Sequence, residues 1–241
     1  MFLTLAGLLV LLAQPAPPQA VPDELLKKAA ESDARMVRLY KEGAVTMSSR
    51  VEELDKEGKV QHTQEIVLRL SQKDGKPHGE VLRATKDGKD VTAEERDKLA
   101  EQRAKGGADG KSGDGKRGGR MELSTPFGAE AQPRYAFRLL GPDARDASLV
   151  RVGFGPRGKK ADDLWTGEAV VDPGSGAVKW MKQRPSDLPA FVDRMEMVLE
   201  FGAAIAEGSA ISAIHMEGEG GLPFFKKRFR VETKFSDYGP K

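Results

Sequence analysis

From Arg134 onward, apolar residues recur at every second position in one segment after another, and that period excludes a helical fold for this half of the chain. Tyr135, Phe137 and Leu139 alternate with Arg134, Ala136 and Arg138. Met195, Met197, Leu199 and Phe201 share one side of a segment whose other side carries Arg194, Glu196 and Glu200. The last segment sets Phe225, Phe229, Val231 and Phe235 against Lys226, Arg228, Arg230, Glu232 and Lys234. Successive side chains of a strand point to opposite faces, so these segments read as strands with one dry and one wet face. Leu149 to Phe154, Trp165 to Val171, Ala177 to Lys182 and Ile211 to Met216 read likewise, with a turn at Asp172-Pro173-Gly174-Ser175-Gly176.

Earlier in the chain the same period gives strands over Val45 to Leu54, Val60 to Leu70 and Glu80 to Ala84. Asp55-Lys56-Glu57-Gly58, Lys73-Asp74-Gly75-Lys76 and Lys86-Asp87-Gly88-Lys89 supply the turns. The first of these strands carries Ser48, Ser49, Arg50 and Glu52, which suits a sheet edge. Two stretches depart from the pattern. Pro22-Asp23-Glu24 opens a helix running to Gly43, with Leu25, Leu26, Ala29, Ala30, Met36, Val37 and Tyr40 at helical spacing. Thr92 reads as an N-cap with Glu94 and Glu95 behind it, opening a charged helix to about Lys105. Half of the residues from Gly106 to Gly119 are glycine, mixed with Lys, Asp and Ser, which predicts a mobile loop within one domain rather than a boundary.

The uncharged run Phe2 to Ala13 has the length of a signal-peptide core and is shorter than the roughly 20 residues a spanning helix needs. It is followed by a Pro-rich stretch ending at the small residue Ala20. Residues 1–20 therefore read as a signal peptide and 21–241 as one β-rich domain. The chain has no cysteine, which excludes disulfides, thiolate metal sites and lipid attachment through an N-terminal cysteine, so the expected product is soluble and periplasmic. Its 39 Lys and Arg against 37 Asp and Glu leave no electrostatic footprint for nucleic acid.

These segments describe a mainly β fold with a few helices: a large antiparallel sheet of about ten strands with one apolar face. That face must be covered by curling, by the N-terminal helix acting as a plug, or by a ligand.

The run Gly167 to Trp180, with its Asp-Pro-Gly-Ser-Gly turn, resembles the paired strands of the periplasmic outer-membrane lipoprotein carrier and sorting proteins, the Lol family. The resemblance continues through Met195 to Phe201 and the closing Phe224 to Tyr238, and covers roughly the C-terminal third to half. Ser175 stands where that family more often has Thr, the stretch from Glu94 to Gly119 is an insertion, and no carrier-specific functional residue matches. The resemblance implies a strongly curved half-open barrel wrapping the N-terminal helix, with acyl chains in the concave apolar cavity.

Other motifs carry less. Gly153 to Gly158 fits GxGxxG and, with Lys159, GxxxxGK, but Lys160 to Trp165 leads into a strand where a phosphate site needs a helix. The Asp-Gly-Lys repeats lack the alternating acids of a calcium loop. His62, His78 and His215 are unpaired in sequence, no nucleophile-elbow sequence is present, and no cofactor is implied. The expected function is binding rather than catalysis. Met195, Met197, Leu199 and Phe201 are expected to line a cavity with Phe225, Phe229 and Phe235. This surface would face Leu26, Met36 and Val37 of the helix. The set Met36, Met47, Met181, Met195, Met197 and Met216 suits adaptable apolar contacts as well as packing. The expected ligand is lipid or a lipidated protein, with peripheral contact to membrane-associated proteins. The alternative is a structural or protein-interaction module of the cell envelope, with a filled core and no ligand.

Overall fold

The computed structural model describes residues 19–73, 76–106, 125–161, 163–188, 190–205, 208–222 and 225–239. The apolar run Phe2 to Ala13 and the glycine-rich stretch 107–119 lie outside the described residues.

In chain order the elements are β1 (Gln19–Ala20), α1 (Asp23–Glu42), β2 (Ala44–Leu54), β3 (Val60–Lys73), β4 (Lys76–Lys86), β5 (Lys89–Asp90) and α2 (Thr92–Gly106). A short 3-10 turn at Gln132–Arg134 leads into β6 (Tyr135–Pro142), β7 (Val150–Pro156), β8 (Trp165–Val171), β9 (Val178–Pro185) and β10 (Val192–Glu200). A small ribbon, β11 (Ala203–Ile205) and β12 (Gly208–Ala210), precedes β13 (Ala213–Leu222) and β14 (Phe225–Gly239).

Twelve of the strands form one sheet in the order β1-β6-β7-β8-β9-β10-β13-β14-β2-β3-β4-β5, antiparallel at every pairing. Its two ends do not pair with each other, so the sheet is an unclosed, half-open barrel with α1 on its apolar face. Pro22 caps α1, Asp23 and Glu24 sit in its first turn, and Lys41 in its last, each favourable to the helix dipole. Leu25, Ala29, Asp33 and Met36 form its buried stripe. At the far end Tyr40 donates to the Tyr238 hydroxyl at 2.6 Å, and Tyr238 donates to the Ile211 carbonyl, tying α1 to the last strand.

Two expectations are corrected. β2 is not an edge: it lies between β14 and β3. Its polar residues are satisfied across the sheet, Arg50 by Glu65 at 2.8 Å, Glu52 by Arg230 at 3.3 Å, and Ser49 by the Thr233 hydroxyl at 3.1 Å. Thr92 does not cap α2 with its hydroxyl, which instead meets the backbone of Ala84 in β4. The Thr92 amide is taken by the Asp90 carboxylate at 2.8 Å. Hydrogen bonding to Thr92 is the leading cause holding the Asp90 carboxyl below the usual carboxylate range.

Candidate functional site

Register assigns every strand residue to the inner face, which carries α1, or to the outer face. One inner row crosses the sheet as Val152, Ala169, Met181, Leu199 and Ile214. Together with Phe154, Phe201, Phe235, Val45 and Leu25, Ala29 and Met36 of α1, the first four of these lie in the buried core, and Ile214 packs against it. The segment from Thr125 to Arg134 lies against this assembly. Phe127 is 1% exposed and packs on Phe137 and Phe154 with ring centroids 5.4 and 5.9 Å apart. Gln132 donates to the Leu26 carbonyl at 2.7 Å.

The anticipated lining residues therefore divide. Leu199, Phe201, Phe235 and Met36 are buried together in the core, with Leu26 and Met197 packed against it. These residues belong to the same packed cluster as Leu25 and Ala29 of α1. Val37 is half-buried and outside the cluster. Met195 and Phe229 flank Gly218 on the neighbouring strands, further along the sheet, where the Phe229 ring covers the glycine. The side chain of Phe225 lies outside the described set.

Beyond the core the inner face continues as an apolar strip. Met197, Met216, Val231 and Val51 are consecutive cross-strand neighbours on β10, β13, β14 and β2. Met195, Gly218 and Phe229 form the row beside them. All the large side chains of the strip are half-buried, and only Met197 belongs to the packing around the core. Three strand spacings make the first row about 14 Å long. Next to it, Gln183 is 7% exposed. Its amide donates to the Met197 sulfur at 3.7 Å, and its carbonyl oxygen has no partner among the described residues.

Asp33 is the acid that sequence reasoning passed over. It lies on the apolar stripe of α1 and accepts from the Thr125 hydroxyl at 2.6 Å and the Thr125 amide at 3.4 Å. Burial pushes its carboxyl up to about 6, and the two hydrogen bonds oppose that shift. Its spacing, four residues after Ala29 and three before Met36, was the available signal. Nearer the start of α1, Gly176 in the β8–β9 turn approaches the backbone of Lys28 and Ala29 more closely than any side chain allows.

The outer face is a lattice of ion pairs, one along β2 between Arg50 and Glu52 and the others across strands: Arg50 with Glu65, Arg230 with Glu52 and Glu217, Arg228 with Glu219, Lys182 with Glu196, and Arg151 with Glu168. His62 pairs with Asp87 and His215 approaches Glu200, so these two histidines serve separate contacts. Gly153 of the GxGxxG stretch lies inside β7, and no helix follows that strand before β8 among the described residues. Among the described residues no helix is long and apolar enough to cross a membrane.

No protein-family model matches the chain, and no curated protein matches it. Among solved structures it is similar to a DUF1329 family protein from Desulfovibrio piger, with a TM-score of 0.40 and 13% identity over 88% of this chain and 91% of that one. It is also similar to MucB in complex with MucA(peri), with a TM-score of 0.23 and 10% identity over 86% of this chain and 94% of that one. The Pseudomonas aeruginosa MucA/MucB complex gives a TM-score of 0.25 and 12% identity over 86% and 94%.

Proposed function

We propose that this protein is an exported, periplasmic binding module without chemistry of its own, which holds an acyl chain of lipid or lipidated protein on the inner face. The observation that carries the reading is the strip Met197, Met216, Val231 and Val51: an apolar row on a sheet whose opposite face is ionic, left half-exposed where the core ends. Each methylene laid on such a row and removed from water contributes about 0.8 kcal/mol. Methionine side chains adjust to chains of differing length and kink. The half-open sheet around a helix is also the architecture that the Lol-type resemblance implies.

The packing of Leu199, Phe201 and Phe235 with α1 in one core favours a second reading, in which the strip receives apolar side chains of a partner protein. Met216→Glu separates the two from simple unfolding better than a change at Met197, because Met216 lies outside the core cluster. A carboxylate there must be desolvated or must keep the ligand away. We expect native mass spectrometry to find lipid on the wild type and at least about tenfold less on the variant, with circular dichroism unchanged. A wild type that takes up no acyl chain would leave the partner-protein reading. Export is checked by the intact mass of protein recovered from the envelope, which should lack residues up to about Ala20. Retention of Met1 would refute the address.

A further inference from the structure

On the outer face, over β14, β2, β3 and β4, a cleft of about 270 Å³ opens in the ionic lattice. Two rows of cross-strand neighbours make it. One runs Lys234, Ser48, Val67, Arg83, and the other runs Glu232, Arg50, Glu65, Thr85. In the second row Arg50 is committed to Glu65 at 2.8 Å and to Glu52 at 2.9 Å, and the Thr85 hydroxyl donates to Glu65 at 3.4 Å. The first row, and Glu232 at the end of the second, have no such closure. Lys234 and Glu232 form no ion pair or hydrogen bond among the described residues, and Arg83 acts there only through its charge, on Asp90. The cleft thus combines two uncommitted cations flanking a Ser48 hydroxyl and a valine with one uncommitted carboxylate beside Lys234.

We infer that this cleft binds a small zwitterion that joins a phosphate to an ammonium group, the phosphate between Lys234 and Arg83 and the ammonium at Glu232. A simple anion would match the two cations but would lie beside Glu232 and be repelled by it. A simple cation would meet the reverse. Arginine and lysine are the side chains suited to phosphate oxygens, the guanidinium through paired N–H donors. The Ser48 hydroxyl between them supplies a neutral donor. The site faces away from the apolar strip and does not depend on what that strip holds.

The test is isothermal titration of the full chain with O-phosphoethanolamine, with inorganic phosphate and ethanolamine as comparators. Wild type should bind phosphoethanolamine saturably and more tightly than either comparator. Lys234→Ala and Arg83→Ala should each weaken it about tenfold, and Glu232→Gln should bring it down to the level of phosphate. All three side chains are exposed, so the fold is not at stake. A short-chain phosphatidylethanolamine below its micelle concentration identifies the source. Binding as tight as that of the free compound assigns a lipid headgroup, and binding of the free compound alone assigns a soluble metabolite. The inference is overturned if no saturable binding occurs below about 10 mM, or if the variants bind as wild type does. It is overturned equally if phosphate matches phosphoethanolamine in the wild type.

Discussion

Replacing Gly176 with alanine should undock the N-terminal helix. Gly176 has φ of +73°, a left-handed conformation that costs a residue with a side chain about 1–2 kcal/mol. The larger effect is contact. A Cβ at this position would overlap the Lys28 carbonyl carbon and stand 2.5 Å from the Ala29 nitrogen, both backbone atoms inside α1. Neither can swing aside as a side-chain end could, so the helix or the turn must shift to make room. The Gly176 amide is also held to the Asp172 carbonyl at 2.8 Å, and the Asp172 carboxylate accepts the Gly174 amide at 2.8 Å, so the turn resists. Overpacking of this kind costs about 1–3 kcal/mol on top of the backbone strain, giving about 3 kcal/mol or more in all. Gly58 provides the control, with φ of +83° and open space to 4 Å around the point where a Cβ would stand. Gly58→Ala should show the strain alone. Urea melts of the two variants measure the difference, and hydrogen exchange at Leu25, Ala29 and Met36 reports whether α1 is what has loosened. Equal losses in the two variants would mean that the turn does not brace the helix.

The same turn illustrates how much of the fold was legible. Asp172 to Gly176 is a local signal, complete within five consecutive positions, and the strand before it runs from Trp165 to Val171 as the alternation predicts. The helix over Asp23–Glu42 was equally local: a proline, two acids and a stripe at helical spacing. β2 was misplaced because what keeps Arg50, Glu52 and Ser49 in the sheet interior comes from β3 and β14, far off in sequence. Polar residues suit an edge or a paired interior row equally well, and only the partners decide. The ribbon β11–β12 is three residues a side, too short for a period to show. At the candidate sites the alternation put Met195, Met197, Leu199 and Phe201 on one face. It could not say how far the core extends along that face, which is what separates Leu199, buried in the core, from the half-exposed strip at Met216 and Val231. The outer cleft was invisible for a related reason: Lys234 and Arg83 flank a common floor only through the registers of three strand pairs.

Asp33 should make the protein less stable as pH rises from about 4 to about 6. Its carboxyl is pushed from 3.8 up to about 6 by burial in the folded state. The native state therefore holds this proton more tightly than the unfolded chain does. The resulting stabilisation is fully present below about pH 4 and is lost as pH climbs through about 6. A difference of about two pH units corresponds to about 3 kcal/mol, an upper bound because burial here is incomplete. Several exposed carboxylates work in the opposite direction. Asp87, Asp90 and Asp146 are held below their usual range by hydrogen bonds, and their contributions fade as pH falls. The wild-type profile alone would mix these effects, so the informative quantity is the difference from Asp33→Asn. Asparagine keeps an oxygen for the Thr125 hydroxyl and carries no charge at any pH. The variant should exceed wild type by a few kcal/mol at pH 7, with the margin shrinking by about 3 kcal/mol as pH falls to 4. Urea midpoints at the two pH values give the result. A margin that stays constant between them would show that Asp33 titrates as an ordinary exposed acid. A variant less stable than wild type at pH 7 would mean that the charged carboxylate, through Thr125, is what fastens the 125–134 segment to α1.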